Sequence, residues 1–131
     1  MLKGLVYMPI SPIAFSDSAK ALLSVGGEVD YRNAASRAYY CMYHSIQRKV
    51  LSQCNNIPLY PKAGVHAALI RFLEDGGKKG GIGSIDAKEC LKLSMALGAA
   101  KRLRARADYD LDDVFSRTDA EQVIRSAERF V

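Results

Sequence analysis

Residues 32–50, RNAASRAYYCMYHSIQRKV, constrain the fold more than any other stretch of the chain. A helix advances about 100° per residue, so Ala35, Ala38, Tyr39, Met42, Ile46 and Val50 gather on one side. Asn33, Arg37, Tyr40, Cys41, His44 and Arg48 fall on the opposite side. An apolar stripe of this length must be covered by other helices. The stretch predicts a long helix, capped by Asp30, running to about Cys54.

The rest of the chain supplies the partners. Ser11 and Pro12 open a first helix, with Phe15, Ala19, Leu22 and Leu23 on one face, and VGGE stops it. NNIPLYP reads as a loop. Pro61 precedes a third helix in which Val65, Leu69, Phe72 and Leu73 share a side. EDGGKKGGIGS reads as an exposed connection, with a flexible Gly-rich loop over residues 75–83 within it. Ser84 is expected to cap a fourth helix, with Leu93, Ala96, Leu97 and Ala100 inward, running toward KRLRARADYD. Thr118-Asp119-Ala120-Glu121 fits a capping box for a last helix that buries Ala120, Val123, Ile124, Ala127 and Val131. Nothing alternates at period two, and there is no internal repeat or linker. Residues 1–131 are therefore read as one all-α bundle of about five helices, preceded by an N-terminal arm over 1–10.

Composition excludes several function classes. The 131 residues are 49% hydrophobic and 25% charged, with no apolar run long enough to span a bilayer. The start, MLKGLVYMPISPIAF, is too short and too interrupted by proline for a signal peptide. A cytoplasmic protein without a membrane partner is expected. Cys41, Cys54 and Cys90 form no CxxC pair, so neither a disulfide framework nor a metal site is expected. The formal net charge of +5 permits nucleic-acid binding.

Arg37 and His44 are the residues best suited to chemistry. They lie nearly in line on one helix face, about 10 Å apart along the axis. Cleavage of an RNA phosphodiester by its own 2′-hydroxyl needs a proton acceptor and a cation for the developing phosphorane charge. Histidine titrates near neutrality, and arginine matches phosphate oxygens. One helix brings one such histidine, and a symmetric dimer through this face would bring two. Asn33, Tyr40 and Arg48 border the strip. Arg102, Arg104 and Arg106 could extend a phosphate-binding surface or simply complement the helix dipole. Asp108 and Asp110 would anchor the turn, pair with an arginine, or steady His44 or Arg37. His66 reads as a packing residue, with a second acid–base group or a nucleotide contact as the alternative. GGKKGGIGS lacks the preceding strand and the Gly-Lys-Ser/Thr ending of a phosphate-binding loop, although Lys78 and Lys79 could touch an RNA backbone.

SRAYYCMYHSIQRKVL resembles the signature helix of the HEPN superfamily (higher eukaryotes and prokaryotes nucleotide-binding), and HAALIRFL, LRARADYDL and AEQVIRSAERFV resemble its later segments in the same order. The resemblance spans roughly residues 15 to 131. It implies an up-and-down bundle of four to five helices, commonly a homodimer. Many members are metal-independent endoribonucleases acting as toxins of toxin–antitoxin systems or in anti-phage defence, with no cofactor. Their motif is Arg, four to six residues, then His. Arg37 and His44 match it, which implies phosphate binding by the first and proton transfer by the second. Other members are non-catalytic modules that bind nucleotide, RNA or a partner such as a small nucleotidyltransferase. The motif lies in the second helix, earlier than is usual in the ribonuclease branches. Ala38 follows Arg37 where those branches usually carry a polar residue. Ile46 stands where AMPylated members carry a tyrosine.

Overall fold

The computed structural model describes residues 11–130. It holds five helices: α1 (Pro12–Val25), α2 (Glu28–Leu51), α3 (Val65–Lys79), α4 (Ala87–Tyr109) and α5 (Arg117–Arg129). No strand occurs among the described residues; the sole β feature is an isolated bridge between Ile82 and Ile85. The architecture is the all-α bundle expected. The expected arm over residues 1–10, and the expected burial of Val131, lie outside the described residues.

The helix boundaries follow from local chemistry. Pro12 occupies the first turn of α1, where its missing N–H costs nothing. Gly26, at φ 94°, ends α1 in the left-handed conformation that a side chain resists. The next residue, Gly27, already caps α2, so α1 and α2 form a tight helical hairpin. Asp30 does not sit at the cap as expected; it lies one turn in, where its carboxylate accepts the Gly27 N–H at 3.3 Å. Asp86, rather than Ser84, caps α4 by accepting the Glu89 N–H at 2.8 Å. At α5 the capping box is shifted two residues toward the N-terminus from the one expected. Ser116 Oγ accepts the Asp119 N–H, and Asp119 accepts the Ser116 N–H at 3.0 Å.

α2 is the central element. It packs against α1, α4 and α5, while α3 packs on α4. Ala35, Ala38, Tyr39, Met42, Ile46 and Val50 are all buried. They meet Leu69 and Leu73 of α3, Leu93, Leu97 and Ala100 of α4, and Ala120, Val123, Ile124 and Ala127 of α5 in one core. Each large aliphatic side chain buried this way contributes about 1.5–3 kcal/mol. Cys41 is buried as well, with its thiol pushed up by desolvation, so it belongs to the core edge and not to the polar strip. Val65, expected on the apolar face of α3, is exposed at the first helical position.

The Gly-rich stretch departs most from expectation. Residues 75–79 continue α3, and the chain turns at Gly80, Gly81 and Gly83, all with positive φ. Ile82 and Ile85, paired across the bridge, are buried and anchor the turn. Gly76 and Gly77 are needed for close approach. A Cβ on Gly76 would lie 2.8 Å from Ile82 Cγ1 and 3.1 Å from Cys90 Sγ, and one on Gly77 2.4 Å from Leu91 Cγ. A composition that reads as a loop is here the contact between the end of α3 and the start of α4.

One polar residue stands in the core. Arg32 of α2 is 9% exposed, and its Nη1 donates to the carbonyls of Arg106, Ala107 and Asp110 at 3.0–3.1 Å. Its Nη2 donates to the Asp113 carbonyl. The Glu28 carboxylate accepts from Arg32 Nε and Nη2 and from the Phe115 N–H. The carbonyls where α4 ends thus receive donors from a guanidinium of another helix. The hydrogen bonds from Arg32, and then the Phe115 N–H, hold the Glu28 carboxyl below its ordinary value.

Two stability predictions follow from these contacts. Arg32→Met should lower unfolding free energy by about 3 kcal/mol in urea denaturation, because buried carbonyls lose their donor. The Glu28 contribution is present above pH 4.5, the carboxyl's ordinary value, and fades as pH falls through its lowered folded value. Glu28→Gln should flatten that acid limb of the stability profile. Separately, Gly76→Val should cost about 1–3 kcal/mol by thermal or urea unfolding, since Ile82 and Cys90 must move aside.

Candidate functional site

The polar strip of α2 runs along the seam with α1. Arg37 is exposed, and its Nη1 donates to Ser18 Oγ of α1 at 2.9 Å. Two turns on, His44 is half-buried, its ring 5.7 Å from Phe15 of α1 and 6.2 Å from Tyr40, near-parallel to both. Tyr43 meets its edge at 5.1 Å. Asn33 and Arg48 are exposed at the two ends of the strip. Arg48 borders a shallow groove with Pro12, Ile13 and Phe130. The α2 periodicity therefore puts Arg37 and His44 on one edge, and α1 supplies a hydroxyl to one and an aromatic plate to the other.

Beneath that edge lies a cluster of tyrosines and imidazoles. The Tyr39 hydroxyl is 2.7 Å from Nδ1 of His66, the second residue of α3. The His66 ring lies 4.0 Å from that of Tyr43 and 5.9 Å from that of Tyr40. The two histidines of the chain, 22 positions apart in sequence, thus neighbour the same two tyrosine rings. Burial pushes the Tyr39 and Tyr43 phenols up. Burial, then the charges of Arg104 and Lys101, hold His66 below its ordinary value.

α4 supplies the cation of this cluster. Arg104 donates from Nη2 to the Tyr40 hydroxyl at 2.9 Å and lies over the rings of Tyr40, Tyr39 and Tyr109 at 5.3–5.9 Å. Asp108 Oδ2 sits 2.8 Å from Arg104 Nε as an ion pair, although the buried Nε–H does not point along a hydrogen bond to it. Asp108 therefore steadies Arg104, which in turn steadies Tyr40; it pairs with neither His44 nor Arg37. Asp110 acts through its backbone, ending α4 and giving its carbonyl to Arg32.

The other expected cations divide. Arg102 is exposed and has no ion-pair partner among the described residues. Arg106 is committed to the turn after α4. It donates to the Val114 carbonyl, lies 3.7 Å from the Asp119 carboxylate, and packs over Phe115. That placement gives it a structural partner set in place of a free phosphate-facing surface. Among the described residues no group of three His, Cys, Asp or Glu side chains is placed to hold a metal ion, and no helix is long and apolar enough to cross a membrane.

Two participants escape a reading of α2 alone. Tyr39 counts as core by periodicity, yet its hydroxyl finds a polar partner. His66 carries the weak signal of being the only other imidazole in the chain, but nothing in sequence spacing brings it to Tyr39. Arg32 is a third residue that the periodicity left unassigned, and its role is in folding.

Comparison with curated proteins and with solved structures found no match. The family comparison did: the model described as HEPN domain matches residues 13–131, nearly the whole chain. That match agrees with the five-helix bundle and associates the chain in general terms with nucleotide- or RNA-related function. The chain belongs to the HEPN domain family.

Proposed function

We propose that the protein is a metal-independent endoribonuclease of the cytoplasm, the toxin of a toxin–antitoxin or anti-phage defence system. Its active groove forms where Arg37 and His44 of one chain face the same residues of a second copy. The observation that carries this reading is the shared edge of α2. Arg37 is exposed, and His44 stands half-buried beside Phe15, Tyr40 and Tyr43 with neither ring nitrogen bonded among the described residues. Arg37 binds the scissile phosphate. A His44 imidazole removes the 2′-hydroxyl proton, the 2′-oxygen attacks phosphorus, and the P–O5′ bond breaks. The second copy's imidazolium protonates the leaving 5′-oxygen, giving a 2′,3′-cyclic phosphate and a 5′-hydroxyl. The free thiols Cys41, Cys54 and Cys90 fit a reducing compartment.

A second reading is a non-catalytic HEPN module that binds nucleotide, RNA or a partner protein such as a nucleotidyltransferase or an antitoxin. The bond from Arg37 to Ser18 favours it, because one arm of the guanidinium is already engaged within the chain.

The test is cleavage of mixed RNA by purified protein in EDTA. His44→Ala should slow it by about 10²–10⁴-fold, the usual worth of a proton-transfer group, and Arg37→Ala should reduce it severely as well. Arg37 is exposed, so its replacement should change stability by no more than about 0.5 kcal/mol. Cleavage by both variants at the parental rate overturns the assignment; intact RNA with the parental protein favours the module.

A further inference from the structure

His66 is a buried-side imidazole that the proposed reaction does not use. It stands at the N-terminal turn of α3, where Gly64 caps the helix and the loop from α2 returns. The groups around it come from two other helices. α2 contributes Tyr39, Tyr40, Tyr43 and His44, and α4 contributes Arg104 and Lys101. The Tyr39 phenol is fully buried, and desolvation keeps its proton on. The Tyr39 hydroxyl has no other hydrogen-bond partner among the described residues, so the proton it keeps is directed to His66 Nδ1 at 2.7 Å, which accepts. The remaining imidazole proton is then on Nε2. Two neighbouring cations and partial burial favour this neutral form.

Among the described residues the only buried side-chain nitrogen or oxygen without a partner is Arg104 Nε. His66 Nε2 has no partner among them and is not in that state, so it reaches solvent. The His66 ring itself lies beside Tyr40 and Tyr43, the rings that also flank His44. A neutral N–H in a positively charged setting suits an anionic oxygen, and Lys101 and Arg104 supply that setting.

We propose that His66, its Nδ1 taken by the Tyr39 hydroxyl, presents Nε2–H as a hydrogen-bond donor to a phosphodiester oxygen of RNA bound beside Tyr40, Tyr43 and His44. The identity of the ligand rests on the ribonuclease reading; the fixed tautomer does not. The division of labour is physical. His44 is left to carry protons, while His66 is locked as a donor and holds the strand in register. His66 is thus a substrate-positioning residue contributed by a different helix from the Arg37–His44 motif.

The experiment is nitrogen-resolved NMR of the two imidazoles in the full chain, followed by titration with a 2′-O-methyl oligoribonucleotide, which has no attacking hydroxyl. The expected result is a neutral His66 with its proton on Nε2 at pH 7, lost as a single tautomer in Tyr39→Phe, and a shift of the Nε2 resonance as oligonucleotide is added. In cleavage assays His66→Phe should raise KM roughly tenfold with a smaller change in kcat, and His66→Gln, which keeps an N–H at the same distance from the backbone, should recover much of it. An imidazolium at pH 7, a proton on Nδ1 of the neutral ring, or a His66 resonance unmoved by oligonucleotide overturns the proposal. A protein that shifts at His66 but cleaves no RNA sustains it and removes the ribonuclease reading instead.

Discussion

The bundle depends on one buried guanidinium. Arg32 leaves α2 and closes the C-terminal end of α4, donating to carbonyls spread from Arg106 to Asp113. A helix end buried without donors would be costly, and a cation there also complements the negative end of the dipole. Glu28, one turn before Arg32, neutralises the charge and reaches on to the Phe115 amide. Three segments are thereby tied at one point: the start of α2, the end of α4 and the turn into α5. Phe115, fully buried under Arg32, completes the joint.

That joint sets the register on which the candidate site rests. With the end of α4 pinned to the start of α2, Arg104 falls against Tyr39 and Tyr40, two turns along α2 from Arg32. Asp108 is then close enough to pair with it. The tyrosines serve as the frame: their rings fill space between α1, α2 and α3, and their hydroxyls mark where polar groups must meet. Tyr40 takes Arg104 and Tyr39 takes His66. His44 is held by ring contacts with Phe15, Tyr40 and Tyr43, with no hydrogen bond to its nitrogens among the described residues.

Much of this was legible from periodicity, because α2 is long and its apolar positions keep step with 3.6 residues per turn. The six core positions read on α2 are all buried. Cys41 was misplaced because it lies at the margin of the stripe, where a small side chain takes whichever side its neighbours cover. The caps of α2, α4 and α5 lie two or three residues from the positions expected, because neighbouring Ser, Thr, Asp and Gly can each cap the same helix start. The Gly-rich stretch misled for a different reason. Glycine signals a loop by its backbone freedom, but Gly76 and Gly77 serve by having no side chain where α3 meets Ile82 and α4.

The chain by itself determined its helical class, the central place of α2, the HEPN membership later matched over residues 13–131, and the pairing of Arg37 with His44 on one face. These are consequences of spacing along a single helix, which local geometry dictates. Tertiary structure alone decided that Ser18 and Phe15 border that face, that Arg106 is tied into a turn while Arg104 enters the cluster, and that His66 reaches the tyrosines. Those contacts join residues far apart in sequence. Which of them form depends on how helices pack, and the arginine joint and the close approach at Gly76 settle that packing only once the chain has folded.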